Sequence, residues 1–160
     1  MIHFVFDLDD TLIIHNKHVP MEVYVQEDKE LSNLLNLCKG ECYIYTNGTL
    51  GHAMNVINKM NIKDVFHKVY SRDNIPYMKP NIKSFQSIQD DLNYIHNHDG
   101  VIFFFDDLLE NLETAKSLGW VTFWINPKYK NSPKHSFVDY SFRDIKTCLK
   151  YIEKLNNSIF

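Results

Sequence analysis

The sequence is poor in the residues that break regular structure. Five glycines and five prolines in 160 residues exclude collagen-like and low-complexity chains. Three cysteines, Cys38, Cys42 and Cys148, are an odd number without zinc-type pairing, so reduced thiols in a cytoplasmic or nuclear setting are expected. No apolar run approaches the roughly 18 residues of a membrane-spanning helix. The start, Met1-Ile2-His3, has no basic segment or cleavage site of a secretory signal. Basic charge is also short: 17 Lys and Arg stand against 20 Asp and Glu, a net charge of −3. That balance argues against a protein that works mainly by coating nucleic acid. What the chain does have is apolar content, 44% of residues, which is too much for disorder. The length predicts a single domain over residues 1–160 with a core large enough to fold alone.

The apolar residues fall into alternating short runs and helical stripes. Ile2–Phe6, 42–45, Phe66–Tyr70, 101–105 and Val121–Ile125 read as five strands, with Phe66–Tyr70 at an edge and 101–105 central. Helices are predicted over 28–37 (Leu31, Leu34, Leu35), 51–60 (Met54, Ile57, Met60), 81–95 (Ile82, Phe85, Ile88, Leu92), 109–118 and 142–155 (Ile145, Leu149, Ile152). Residues 15–25 and 126–136 read as irregular. The alternation predicts an α/β fold: a Rossmann-like three-layer sandwich around a mainly parallel five-stranded sheet. In such folds the chemistry gathers at the carboxyl ends of the strands.

The conspicuous polar residues fall at those ends. Asp7-Leu8-Asp9-Asp10-Thr11 follows the first strand, with Asp7 and Asp9 spaced two apart and so directed to one side of an extended chain. Asp106-Asp107 follows the 101–105 run. If those strands are neighbours, four carboxylates converge, and the repulsion calls for a divalent cation with hard oxygen ligands, Mg²⁺. Thr46-Asn47-Gly48 ends the second strand with a hydroxyl and a turn able to receive phosphate oxygens. Met78-Lys79-Pro80 supplies a cation before a helix. Singly, each is more ordinary as a turn or surface residue; together they follow the order that a phosphoryl-transfer centre requires.

These four motifs, in this order, resemble the haloacid dehalogenase-like (HAD) superfamily, most of whose members are Mg²⁺-dependent phosphatases. The stretch from Asp106 to Ile125 is similar to the segment after the last motif in HAD nucleotidases. The resemblance implies Asp7 as nucleophile forming an aspartyl phosphate, and Asp9 as general acid, then base. It implies Thr46 and the Asn47 backbone N–H as phosphate ligands, with Lys79 neutralising charge and orienting Asp7. The metal would be held by Asp7, the Asp9 carbonyl and Asp107, with Asp106 bound through water or paired with Lys79. An acid at position 9 favours phosphomonoester hydrolysis, because the family's dehalogenases lack one there, and leaves a phosphomutase or phosphotransferase as alternatives.

Family members often close the site with a cap domain inserted after the first motif or between the second and third. Residues 13–45 and 47–78 are already used by the predicted elements, so no cap domain is expected. An open site suits a phosphate on a protein or nucleic acid, or one lidded by a second subunit of a homo-oligomer; a small metabolite such as a nucleotide is the alternative. A non-catalytic binding module is a third reading, disfavoured by the intact motif set. Tyr77, His15 and His18 are candidate substrate contacts near the mouth, with flexible surface residues the plainer expectation. His96-x-His98 reads as a solvated helix end rather than half a metal site. Lys128, Lys130, Lys134, Lys146, Lys150 and Lys154 make the C-terminal third modestly basic, and Trp120 and Trp124 are assigned to core packing.

Overall fold

Strand β1 (Ile2–Phe6) pairs in parallel with both β2 (Glu41–Tyr45) and β4 (Val101–Asp106), in registers that set Phe6 opposite Ile44 on one side and Phe105 on the other. The computed structural model describes residues 1–95, 97 and 99–158. Beyond β2 lies β3 (Phe66–Tyr70), and beyond β4 lie β5 (Val121–Ile125) and β6 (Tyr140–Phe142). The order is β3-β2-β1-β4-β5-β6 with every pair parallel. The sheet therefore has six strands, where the sequence predicts five. β6 escapes a periodicity argument because it is three residues long, polar in the middle and only partly buried.

Strand alternation divides the apolar residues between two cores. Phe4, Phe6 and Phe105 face one side with α2 (Lys29–Asn36), α3 (Leu50–Lys59) and α6 (Ile145–Ser158). Val5, Tyr43, Tyr45 and Phe104 face the other with α4 (Ile82–Ile95) and α5 (Leu109–Ser117). The predicted helix stripes are these packing faces, except that Ile82, at the first turn of α4, is 43% exposed. The irregular 15–25 segment contains one helical turn, α1 (Met21–Tyr24). Two helices begin on side-chain caps: Asp28 accepts from Leu31 N–H and Thr49 from His52 N–H. The second cap fixes where His52 lies, in the first turn of α3. Trp120 and Trp124 are buried in the α4–α5 core as expected.

Between residues 12 and 46 the chain holds only α1, α2, β2 and their loops; between 46 and 79 it holds α3, a single 3-10 turn and β3. Among the described residues, no inserted domain stands over the strand ends. Strand order reverses between β1 and β4: β2 and β3 extend one way and β5 and β6 the other. A crevice at such a switch point, outside the carboxyl ends of the strands, is where α/β sheets bind ligands. The His96-x-His98 pair lies outside the described residues. Among those described, no helix is long and apolar enough to cross a membrane.

Phe105 is fully buried, with its ring stacked 4.5 Å from Phe6 and 4.5 Å from Phe123. Phe105→Ala removes the middle of that stack directly under the β4 carboxylates. We predict a loss of about 3–5 kcal/mol, from apolar transfer plus the cavity left behind, measured by urea denaturation; a loss below about 1 kcal/mol would contradict this packing.

Candidate active site

Asp7 is the first residue beyond β1, and its N–H donates to the Phe105 carbonyl at 2.9 Å, continuing the β1–β4 ladder by one rung. That bond fixes Asp7 beside Asp106, the last residue of β4. Lys79, just before α4, brings its ammonium between them: Nζ lies 3.1 Å from Asp7 Oδ1, 2.9 Å from Asp106 Oδ2 and 2.8 Å from the Tyr45 carbonyl. All three side chains are buried. The aromatic rings of Tyr45 and Phe104 lie beneath the ammonium, their centroids 4.7 and 5.7 Å from Nζ, so the cation is held by oxygens on one side and π faces on the other.

Asp106 is fully satisfied in this position. Oδ1 accepts from Leu108 N–H at 2.9 Å, and Oδ2 accepts from Asn111 Nδ2 at 3.1 Å as well as from Lys79. Of the two roles expected for Asp106, the structure shows the pairing with Lys79. Asp107 is half-buried, and its carbonyl accepts from the Trp124 indole at 2.9 Å, which pins the turn after β4. Thr11 Oγ1 sits 3.3 Å from Asp7 Oδ2 and 3.5 Å from Asp107 Oδ1, linking the two carboxylates.

Asp7, Asp106 and Asp107 each offer a carboxylate oxygen, all within 4.8 Å of one another. One ammonium does not neutralise three carboxylates. Burial, opposed by the Lys79 charge and reinforced by that of Asp106, raises Asp7 to about 6. Burial together with the Asp7 and Asp106 carboxylates raises Asp107 to about 8. Lys79 is pushed the other way from what its burial demands: the Asp106 and Asp7 charges lift it above the usual lysine range and keep it cationic. A crowded, oxygen-only cluster with surplus negative charge is a donor set that suits a hard divalent cation such as Mg²⁺.

At the end of β2, Thr46 is buried, and its Oγ1 accepts from Gly48 N–H at 3.0 Å, which leaves the hydroxyl proton to donate. Asn47 and Lys79 are tied reciprocally: Asn47 Nδ2 donates to the Lys79 carbonyl at 3.0 Å, and Lys79 N–H donates to Asn47 Oδ1 at 2.9 Å. The Asn47 side chain thus fastens the Lys79 segment to the β2 end, a role its place in a turn does not announce.

Asp9 is the residue whose surroundings the sequence conceals most. Its carboxylate is not part of the Asp7 cluster. Asp10 turns the chain with φ 61°, a left-handed conformation that aspartate tolerates, and its Oδ1 accepts from His15 N–H at 3.0 Å. The turn folds His15 back so that its Nε2 and His52 Nε2 both donate to Asp9 Oδ1, the latter at 2.8 Å. His15 Nδ1 in turn meets the Tyr24 hydroxyl at 2.7 Å. His15 is therefore a half-buried, bonded part of the site rather than a flexible surface residue. Burial raises the Asp9 carboxyl, but the His52 and His15 hydrogen bonds outweigh it and hold it below the usual carboxylate range. His18 and Tyr77 are exposed, Tyr77 lying under the Lys83 ammonium with 5.3 Å to its ring centroid. His52 and Tyr24 are the site residues that sequence reasoning missed; Thr11 stands there as part of the first motif but is given no role. The only available signal was the position of His52 six residues beyond Thr46, in the first turn of a helix that starts at a strand end.

The Haloacid dehalogenase-like hydrolase family profile matches residues 14–125. No curated protein matches the sequence. Among solved structures, the HAD-hydrolase YfnB from Bacillus subtilis bound to magnesium superposes with a TM-score of 0.65 at 18% identity, over 86% of this chain and 59% of that one. A HAD phosphatase from Thermococcus onnurineus gives 0.62 at 22% identity, over 85% and 62%. The L-2-haloacid dehalogenase from Xanthobacter autotrophicus gives 0.62 at 11%, over 79% and 60%. The chain thus spans about three-fifths of the length of these neighbours, and at these identities they speak to fold alone. Family profile, sheet order and the strand-end carboxylates agree: this chain belongs to the haloacid dehalogenase-like hydrolases.

Proposed function

We propose that the protein is a Mg²⁺-dependent phosphomonoester hydrolase that works through an aspartyl-phosphate intermediate. The observation that carries this reading is the buried Asp7–Lys79–Asp106 arrangement with Asp107 beside it. It joins a carboxylate nucleophile, a fixed cation and a metal-type oxygen cluster within one crevice. Asp7, Asp107 and the Asp9 carbonyl would hold Mg²⁺, which when bound would offset the repulsion between the carboxylates and an incoming phosphate.

In the first step an Asp7 carboxylate oxygen attacks phosphorus and the bond to the leaving oxygen breaks. Lys79 orients that carboxylate through Oδ1 and, with the Thr46 hydroxyl and the backbone N–H of Asn47, receives charge developing on the phosphoryl oxygens. The leaving oxygen takes its proton from Asp9. The histidine bonds favour the ionised form of Asp9 at rest, and arrival of a phosphate dianion beside it raises its proton affinity. In the second step Asp9, now a carboxylate again, removes a proton from water. That water attacks the aspartyl phosphate, releasing inorganic phosphate and restoring Asp7. The carboxylate at position 9 favours this chemistry over dehalogenation, which has no use for an acid there.

Strand ends left without an inserted domain among the described residues support a phosphate displayed on a protein or a nucleic acid as substrate. The residues flanking the motifs expose apolar surface: Ile14, Leu50, Met78 and Leu108 are 58, 37, 52 and 48% exposed. Such a rim is costly to leave in water and provides contact area outside the phosphate pocket.

Two measurements test the reading. Mg²⁺-dependent release of phosphate from an aryl phosphate is expected, falling at least about a thousandfold in Asp7→Asn and about 10²–10⁴-fold in Asp9→Asn. Activity that survives Asp7→Asn would refute the mechanism. The second measurement is thermal unfolding in chelator and in saturating Mg²⁺. Asp7 and Asp107 hold protons in the folded, metal-free protein up to about 6 and about 8, above their ordinary value of 3.8. The unfolded chain releases these protons first, so the stability these groups confer at low pH is lost as pH rises from about 4 to 8. Mg²⁺ competes with those protons; its stabilisation, about 2.7 kcal/mol at a hundredfold excess over its dissociation constant, should be larger at pH 8 than at pH 5. Equal gains at both values would locate the ion elsewhere.

A further inference from the structure

We propose that Asp9, His15 and His52 form a second metal site, one for Zn²⁺ or a similar borderline transition metal, beside the carboxyl ends of the strands. The three residues come from three places: the turn after β1, the loop leading to α1 and the first turn of α3. Yet Asp9 Oδ1, His15 Nε2 and His52 Nε2 all lie within 4.8 Å of one another. This group is separate from Asp7, Asp106 and Asp107 and differs from it in kind. Two imidazole nitrogens and one carboxylate oxygen are the donors that zinc selects, whereas Mg²⁺ takes oxygen alone.

The surroundings favour ligation over a simple hydrogen-bonded trio. The other ring nitrogen of a metal-binding histidine is usually oriented by a partner. His15 has one in the Tyr24 hydroxyl, 2.7 Å from Nδ1. With His15 donating from Nε2 to Asp9, Tyr24 donates to Nδ1. When Nε2 gives up its hydrogen to ligate, the ring carries it at Nδ1 and the same tyrosine oxygen accepts it. The bond therefore persists through the change of tautomer, with no net proton gained or lost by the ring. His52 is anchored differently, by its backbone N–H in the Thr49 cap at 3.1 Å. All three side chains retain solvent contact, at 23% for His15, 30% for His52 and 33% for Asp9. An ion thus has an entry path, and three protein ligands leave a coordination position for water or a phosphate oxygen. Because Asp9 also belongs to the hydrolytic mechanism proposed above, an occupied site would withdraw it from proton transfer. The zinc site itself does not depend on that mechanism.

Titration calorimetry with Zn²⁺ in the presence of excess Mg²⁺ tests the proposal on the full chain. One Zn²⁺ per chain is expected, with affinity reduced at least about tenfold in His15→Gln and in His52→Gln. Glutamine keeps a hydrogen-bond donor for Asp9 without supplying an imidazole ligand. Asp107→Asn should leave zinc affinity unchanged. X-ray absorption at the zinc edge of the unmutated protein should show two imidazoles, a readout independent of how the variants fold. No zinc binding, undiminished affinity in both glutamine variants, loss of affinity in Asp107→Asn alone, or a spectrum without imidazole would each overturn the site. None of these outcomes bears on whether Asp7 is a nucleophile, which the phosphate-release assay decides.

Discussion

The ammonium of Lys79, buried between Asp7 and Asp106, is the interaction on which the rest of this structure depends. It contacts the carboxyl ends of three adjacent strands at once: β1 through Asp7, β2 through the Tyr45 carbonyl and β4 through Asp106. Without it, two carboxylates would meet in a nearly dry pocket. Removing one partner from such a buried network typically costs 3–5 kcal/mol, because the charge left behind has no solvent to retreat to. The network makes electrostatic sense only because Leu108 N–H and Asn111 Nδ2 supply the remaining bonds to Asp106. Asn47 completes it by tying the Lys79 backbone to the end of β2.

Below the polar layer the sheet provides a rigid floor. Phe103, Phe104 and Phe105 alternate across β4. Phe104 packs edge-on against Phe85 and Trp120, and Phe105 stacks between Phe6 and Phe123. Aromatic rings bury much area with few torsions to fix, so the strands that carry Asp7 and Asp106 have little freedom to shift in register. The same Phe104 and Tyr45 rings sit under the Lys79 ammonium. Core packing and site electrostatics are thus one continuous arrangement, not a scaffold with a site placed on top.

Much of this is legible in the sequence because parallel strands bury both faces and stop abruptly at polar residues. The runs ending at Phe6, Tyr45 and Phe105 mark where Asp7, Thr46 and Asp106 must lie, and hydrophobic periodicity is sufficient for that. What the sequence hides has a common cause. β6 is three residues whose strand character comes only from pairing Tyr140–Phe142 with Phe123–Ile125. His52 is unremarkable as a helix residue, and His15, a candidate contact, reads more plainly as surface loop; their shared place arises when a left-handed turn at Asp10 and the Thr49 cap bring both to one oxygen. Ile82 fits its helical stripe, but the helix begins before the core does. Local pattern reports what a segment can bury, and it is silent about which polar atoms a tertiary fold will make neighbours.

That silence matters most at Asp7 and Asp9, which sequence treats as a matched pair. Folding separates them chemically. Asp7 is buried beside Asp106, and its proton affinity rises despite the Lys79 ammonium; Asp9 receives two imidazole donors on a single oxygen, and its proton affinity falls despite partial burial. Two carboxylates whose environments push them apart are the usual basis for a division of labour between covalent and proton-transfer roles. The direction here carries a further constraint. Under the mechanism proposed above, Asp7 must act as a carboxylate against the pull of its burial and of Asp106, whereas Asp9 starts as a carboxylate and must be driven to accept a proton. In that proposal both conditions would be met by one event, the binding of a phosphate dianion together with a cation held by Asp7 and Asp107. The dianion's charge would raise the proton affinity of Asp9 while the cation would lower that of Asp7, so in this reading the two aspartates reach their working states only in the occupied site.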